Sequence, residues 1–219
     1  MVKSSRYISI SVTALIIACI GEFMTIFVFA AYYPGYSQLK EPMSALGSPS
    51  SPVSDEISLW WIIMGLLFIF FGWGFKRAFS DKGKIALYAS LLIILYGFGE
   101  GIGSGLFKFD ENANGFILSS FIHNVLGGIG TTSILIFPYS MQKVITKNEN
   151  KSFYRFSQIA FFTGLLLILL FIIRYSKDYS NFLVLYKGLW QRLFMLNIYV
   201  YMIVLAIIMV RRNKKTQHQ

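Results

Sequence analysis

Residues 84–106 read KIALYASLLIILYGFGEGIGSGL, a run of 23 residues in which Lys84 and Glu100 are the only charged side chains. A helix that crosses a hydrocarbon core of about 30 Å needs about 20 mostly apolar residues. Lipid offers no partner to a free backbone amide, so such a run reads as a spanning helix. Five further stretches share the pattern, at 8–32, 57–75, 116–141, 156–176 and 187–210. Each is too long and too apolar for an amphipathic surface helix. The expected fold is all-α: a single domain over 1–219, an integral membrane bundle of six transmembrane helices. The first span lacks a small-residue cleavage site after a short apolar stretch, so it is expected to be a retained helix and not a removed signal peptide.

Composition agrees with that reading. The chain is 55 % hydrophobic and 14 % charged, with a mean hydropathy of +0.59, whereas soluble domains carry about a quarter charged residues. The one cysteine, Cys19, excludes an internal disulfide framework and a multi-cysteine zinc site.

The net charge of +10 is explained by where the basic residues fall. Lys3, Arg6, Lys76, Arg77, Lys82, Lys84, Lys143, Lys147, Lys151, Arg155, Arg211, Arg212, Lys214 and Lys215 lie at the termini and in the second and fourth connections. Only Lys40, Lys108, Arg174, Lys177 and Lys187 lie on the opposite side. Positive charge marks the cytoplasmic face, so both termini are expected in the cytoplasm, with the chain multi-pass in the cell membrane. Membrane lipids are the expected partners, because the basic surplus attracts anionic headgroups; nucleic acid is not expected. Tyr32, Tyr33, Tyr36, Trp60, Trp61 and Trp190 fall at the predicted outer boundaries, and Tyr7, Trp73 and Tyr154 at the inner ones, where amphipathic rings serve as anchors.

The one long connection, 33–56, holds four of the five prolines (Pro34, Pro42, Pro49, Pro52) together with Gly35 and Gly47. Proline fixes φ and glycine permits positive φ, so the segment cannot continue a helix. It reads either as a short helix or re-entrant turn capping the bundle, or as a plain surface connector. In the third span Gly97, Gly101 and Gly105 share one face, with Gly99 and Gly103 on another; Gly127, Gly128 and Gly130 follow in the fourth. Small residues let helices approach closely in lipid, so spans three and four are expected to pack together.

Ionisable side chains inside the spans carry the functional question. They are Glu22, Glu100, His123 and Arg192, with Asp110 just beyond the third span. Each buried charge costs about 2.5–3.5 kcal/mol at a helix centre, so these groups must pair, line a wet cavity or lie near an interface. On the fourth span Ser119, His123 and Gly127 share a face, beside Ser120 and Asn124. Two arrangements satisfy the constraint. One is a polar pocket opening outward beneath the 33–56 loop. The other is a structural network, with Glu100 paired to Arg192, His123 as an interhelical donor and Glu22 bonded to Thr25 or a neighbouring helix.

Certain motifs resemble a known family. YYPGYSQLKEPMSALGSPSSP (32–52), Gly-Leu-Phe-Lys-Phe-Asp (105–110) followed by His123, and Gly-Leu-Trp-Gln-Arg (188–192) resemble the bacterial and archaeal six-span membrane proteins called the domain of unknown function 998 family. The resemblance runs through all six spans. It implies a six-span fold and directs attention to Pro34, Gly35, Ser37, Ser44, Gly47, Asp110, His123 and Arg192, but it implies no reaction. The family often has an acidic residue where Ala45 and Gln191 stand here.

The leading expectation is a pocket for a lipid headgroup or small amphiphile, built from Glu22, Glu100, Asp110, His123, Arg192, Tyr36 and Ser37. Arg192 would hold an anionic headgroup, Glu100 and His123 would orient it, and the loop would cover it. The alternatives are an intramembrane hydrolase using His123 with Glu100 or Asp110, or a small transporter. No cofactor and no metal are expected: a His123, Glu100 and Asp110 site would be the only metal candidate, since the second histidine, His218, lies in the tail.

Overall fold

The computed structural model describes residues 2–110, 115–173 and 180–217. Among them the structure is helices and turns, with no strand. Six long helices carry it: α1 (Val2–Ala30), α2 (Ser54–Ala78), α3 (Gly83–Tyr96), α4 (Leu118–Val144), α5 (Lys151–Ile172) and α6 (Lys187–Gln217). α3 continues through a π-helical segment, Gly97–Gly103, into a last α turn, Ser104–Leu106. The segments long and apolar enough to cross a membrane are Arg6–Ala30, Ser54–Ala78, Ser80–Leu106, Leu118–Val144, Lys151–Ile172 and Lys187–Asn213.

The span boundaries differ from expectation for local reasons. α1 stops at Ala30, just before a turn over Tyr33–Tyr36 with Pro34 and Gly35 at its centre, where Gly35 takes φ +82° and Tyr36 N–H donates to Tyr33 O at 3.1 Å. That is the proline–glycine order of a type II turn. α4 runs on through Pro138 to Val144. α5 begins early, at Lys151, because Asn150 caps it by accepting from Phe153 N–H at 3.0 Å. Arg174, Lys177 and His218 lie outside the described residues, as do the side chains of Lys3, Lys214 and Lys215.

Each helix packs on its neighbours in the chain, and the ring closes with α6 against α1. One end of the ring, the terminal end, gathers both termini with the connections 79–82 and 145–150. There Arg212 bonds Asp81 at 2.5 Å, Lys82 bonds Glu149 at 2.6 Å, and Arg77 lies over the Tyr7 ring. The other end, the loop end, carries the connection 31–53 with its 3₁₀ turn, Met43–Gly47. Outward faces are apolar on every helix: Ile17 and Phe27 on α1, Leu66 on α2, Leu95 on α3, Ile129 on α4, Leu166 on α5 and Leu196 on α6 are all exposed. A helix hydrophobic all round belongs in lipid.

Inward faces follow simple spacing. On α1 the buried series Ile8, Val12, Leu15, Cys19, Glu22 and Ile26 runs alternately four and three apart, with buried Ser11, Ala14 and Ala18 beside it. The glycine faces of the third span serve two partners, the expected α4 and also α2. A Cβ on Gly101 would meet Gly65 Cα of α2 at 2.3 Å, and one on Gly105 would meet Ser58 O of α2 at 2.6 Å. A Cβ on Gly99 would instead meet Leu126 O of α4 at 2.3 Å. The π segment is thus clamped between α2 and α4 at backbone contact.

The two halves of the ring are filled differently. Toward the terminal end Phe75, Phe79, Phe137, Met141 and Tyr201 are fully buried and close the centre. Toward the loop end the centre is hollow.

Candidate functional site

The hollow is a cavity of about 230 Å³ bordered by all six helices and by Met43 and Ser44 of the loop. Its floor is a hydrogen bond of 2.9 Å between Tyr96 and Tyr199, resting edge-on and tilted against Phe68. Its roof is the Met43–Gly47 turn. Gln191 Oε1 holds that turn by accepting from Met43 N–H at 2.7 Å.

Glu22, Glu100 and His123 lie on this wall. Glu22 is 1 % exposed and accepts from Trp60 Nε1 at 2.7 Å and from Trp61 Nε1 at 3.1 Å. Of the two expected partners, Thr25 or a neighbouring helix, it is the neighbouring helix α2 that supplies the bonds, through both indoles. Glycines make the approach feasible: a Cβ on Gly21 would strike the Trp60 ring at 2.4 Å, and one on Gly47 the Trp61 ring at 2.4 Å. Trp60 and Trp61 were expected as interface anchors; they are instead the donors that satisfy a buried carboxyl. Their adjacency, opposite an acidic side chain in the core register of α1, was the readable signal.

Glu100 sits in the middle of the π segment and accepts from the Thr131 hydroxyl of α4. The space for its side chain comes from α4 glycines. A Cβ on Gly127 would come 3.7 Å from Glu100 Oε1, and one on Gly130 would come 2.7 Å from Glu100 N. His123 Nδ1 lies 2.7 Å from Phe107 O. A carbonyl only accepts, so Nδ1 carries a proton, and in the neutral ring the lone pair is on Nε2. The imidazole also lies against Phe109, with ring centroids 5.7 Å apart.

The other expected site residues are elsewhere. Arg192 is 7 % exposed but is not on the cavity wall. It clasps the loop: Nε donates to Gln38 Oε1 at 2.6 Å, NH1 to Glu41 O at 3.0 Å and to Gly188 O at 2.9 Å, and NH2 to the Tyr36 hydroxyl at 2.5 Å. Gly188 is needed there, because a Cβ would meet Glu41 O at 2.3 Å. Tyr36 belongs to this clasp and also donates to Pro42 O at 3.2 Å. Ser37 shapes the turn beneath it, with its N–H on Glu41 Oε2 at 3.1 Å. Asp110 lies off the wall, in the connection to α4, where its N–H donates to Ser120 Oγ at 3.0 Å. Among the described residues no three His, Cys, Asp or Glu are placed to share a metal ion.

Two adjacent stripes of α4 complete the wall. His123, Gly127 and Thr131, four residues apart, face the Glu100 side. Asn124, Gly128 and Thr132, the next stripe, also border the cavity yet are exposed, as is Ile172 on α5. Farther toward the terminal end α4 and α5 do meet, through Tyr139 against Phe161 and Leu135 against Gly164. The cavity therefore reaches the flank of the bundle between α4 and α5, at its loop end.

Six apolar helices around an intramembrane polar chamber define an all-helical, multispanning membrane protein. Within that class, the family model described as "Protein of unknown function (DUF998)" matches residues 16–208, and the chain belongs to that family. Nothing matches it among curated proteins or among solved structures.

Proposed function

We propose that the chain binds a lipid headgroup or small amphiphile in the loop-half cavity, admitting it from the bilayer through the flank between α4 and α5. The observation that carries this reading is the exposed stripe Asn124, Gly128 and Thr132, which joins a chamber with several polar groups on its wall to a largely apolar surface. Pockets that pair an apolar wall with a few placed polar groups suit an amphiphile. The basic residues at the terminal end support a cytoplasmic placement of that end, which puts the chamber in the outer leaflet.

Gly128→Phe tests the reading. A Cβ at Gly128 meets nothing within 4 Å, so the ring can fill the mouth while the helix packing stays intact. Lipid that co-purifies with the wild-type protein, seen by native mass spectrometry, should be lost in the variant, with the melting temperature unchanged. An unaltered lipid complement would defeat the proposal.

A second reading makes the same chamber catalytic, favoured by the His123 tautomer, whose Nε2 lone pair is that of a general base. Expression of such a hydrolase should change membrane lipid composition, and His123→Ala should abolish the change. Simple binding predicts no change in either strain.

A further inference from the structure

At the terminal end a second concavity opens on the outside of the ring, between α1 and α2. Tyr7, Trp73, Lys76, Arg77 and Ser80 border it, around a space of about 300 Å³. The two helices touch beside it, where Gly74 lies against Ser11 with no room for a Cβ. The Tyr7 ring is braced edge-on by Phe70 of α2, with centroids 5.1 Å apart. Trp73 is 50 % exposed, and Leu66, two turns back on the same face of α2, is exposed as well.

Two cations stand over these rings. The Arg77 guanidinium lies 4.8 Å from the centroid of Tyr7, and Lys76 Nζ lies 5.4 Å from that of Trp73. Both side chains are exposed. A guanidinium stacked on a ring keeps the donors in its own plane open at the edge. Neither cation has an acidic partner among the described residues. The acids of the terminal end, Asp81 and Glu149, are paired with Arg212 and Lys82 instead. A place in the last turn of α2 favours positive charge through the helix dipole. That accounts for the sign of the two residues, but not for the aromatic groove beneath them.

We propose that this groove seats the headgroup of an anionic phospholipid from the leaflet that meets the terminal end. Arg77 offers its planar edge to two phosphate oxygens, Lys76 adds a second positive charge, and the Ser80 hydroxyl donates from the rim. One acyl chain runs along Trp73 and Leu66. The chemistry recognised is a phosphate ester, which soluble phosphates share. Aromatic walls at the ends of two spans, where such rings meet headgroups, commit the site to lipid. It is separate from the chamber, which lies in the loop half of the ring.

The experiment uses the full chain in a neutral detergent, with phosphatidylglycerol, phosphatidylcholine and inorganic phosphate as probes, and reads retained lipid by native mass spectrometry. Phosphatidylglycerol should be retained over phosphatidylcholine. A cation near an anionic headgroup is worth about fivefold, so Lys76→Gln with Arg77→Gln should weaken phosphatidylglycerol by about twentyfold. Arg77→Lys, which keeps the charge and loses the planar edge, should fall between that pair and the wild type. Lys147→Gln with Lys151→Gln removes the same charge from exposed positions of another connection and should leave the lipid in place. Gly128→Phe, which fills the chamber mouth, should leave it in place too.

Equal loss from both lysine-containing pairs, or loss from neither, overturns the proposal, because the attraction would then belong to the whole basic surface or lie elsewhere. Loss on Gly128→Phe would put the lipid in the chamber and also overturn it. Displacement of phosphatidylglycerol by millimolar inorganic phosphate would make the groove a site for soluble phosphate and reject the lipid. None of these three outcomes bears on the chamber reading except the second, which would strengthen it.

Discussion

Arg192 shows how a single side chain can be read correctly as important and wrongly as to its task. An arginine inside an apolar span is expensive, and its cost is met here by four hydrogen bonds to the loop and to its own helix. The planar fork reaches Gln38, Glu41 and Tyr36 at once, which a lysine cannot do. Arg192→Ala should destabilise the protein by roughly 2–3 kcal/mol, with faster amide exchange confined to residues 36–47. Arg192→Lys should recover less than half of that protection. If exchange in the loop is unchanged, the clasp is not what holds it. Glu22 and Trp60–Trp61 teach the complementary lesson. The acidic group was legible, but its partners were assigned to the interface because adjacent tryptophans near a span boundary have a common and sufficient explanation there.

At the scale of an element, the third span is the informative one. Its position, its apolar content and the close-packing role of its glycines were legible, since all follow from composition and four-residue spacing. Its π-helical register was not, because the sequence shows residue types and not how many residues complete a turn. Nor was the division of its faces between α2 and α4, which depends on where the neighbours stand. The division makes a sharp contrast among glycines. Gly99→Ala places a methyl 2.3 Å from Leu126 O; the backbone must shift, and a loss of several kcal/mol is expected, about the upper range for overpacking. Gly128→Ala meets no atom within 4 Å and should be neutral or stabilise by up to about 1 kcal/mol through helix propensity. Thermal melts of the two variants check both. If Gly99→Ala melts with the wild type, α3 and α4 are not in backbone contact.

The connections at the terminal end behave as ordinary solvated structure. Lys82, followed by the Thr146 N–H, holds the Glu149 carboxyl down to about 2 from its ordinary 4.5. A carboxyl with a lowered folded value contributes stability above its unfolded value and loses it as the pH falls. The window therefore runs from about 4.5 down to about 2. Because the Glu149 side chain is 41 % exposed, solvent screening limits the pair to under about 1 kcal/mol. The difference in stability between wild type and Glu149→Gln should be that small at pH 7 and should shrink across the window. A constant difference would mean that the pair is not formed.

The whole molecule is a ring of helices, packed in one half and hollow in the other. The six spans were legible because a stretch of about 20 apolar residues has few other uses. The expectation that Glu22, Glu100, Asp110, His123, Arg192, Tyr36 and Ser37 form one site did not anticipate their separation into a chamber wall, a loop clasp and, for Asp110, the connection to α4. Depth in the membrane can be read from a sequence, but the direction in which each side chain points around its helix depends on which helices it faces. Four-residue spacing on α4 gave part of that answer, placing His123 with Gly127. The neighbouring stripe of Asn124, Gly128 and Thr132 was equally visible as a pattern but has meaning only once α5 is seen to diverge from it.

The tyrosine pair at the chamber floor has a consequence for traffic. Beneath Tyr96 and Tyr199 the bundle is filled by phenylalanine and methionine side chains, so a guest that enters has nowhere to go but back. On the binding reading proposed above, the ring would be an alcove where a molecule is kept or presented, and its entrance would also serve as its exit.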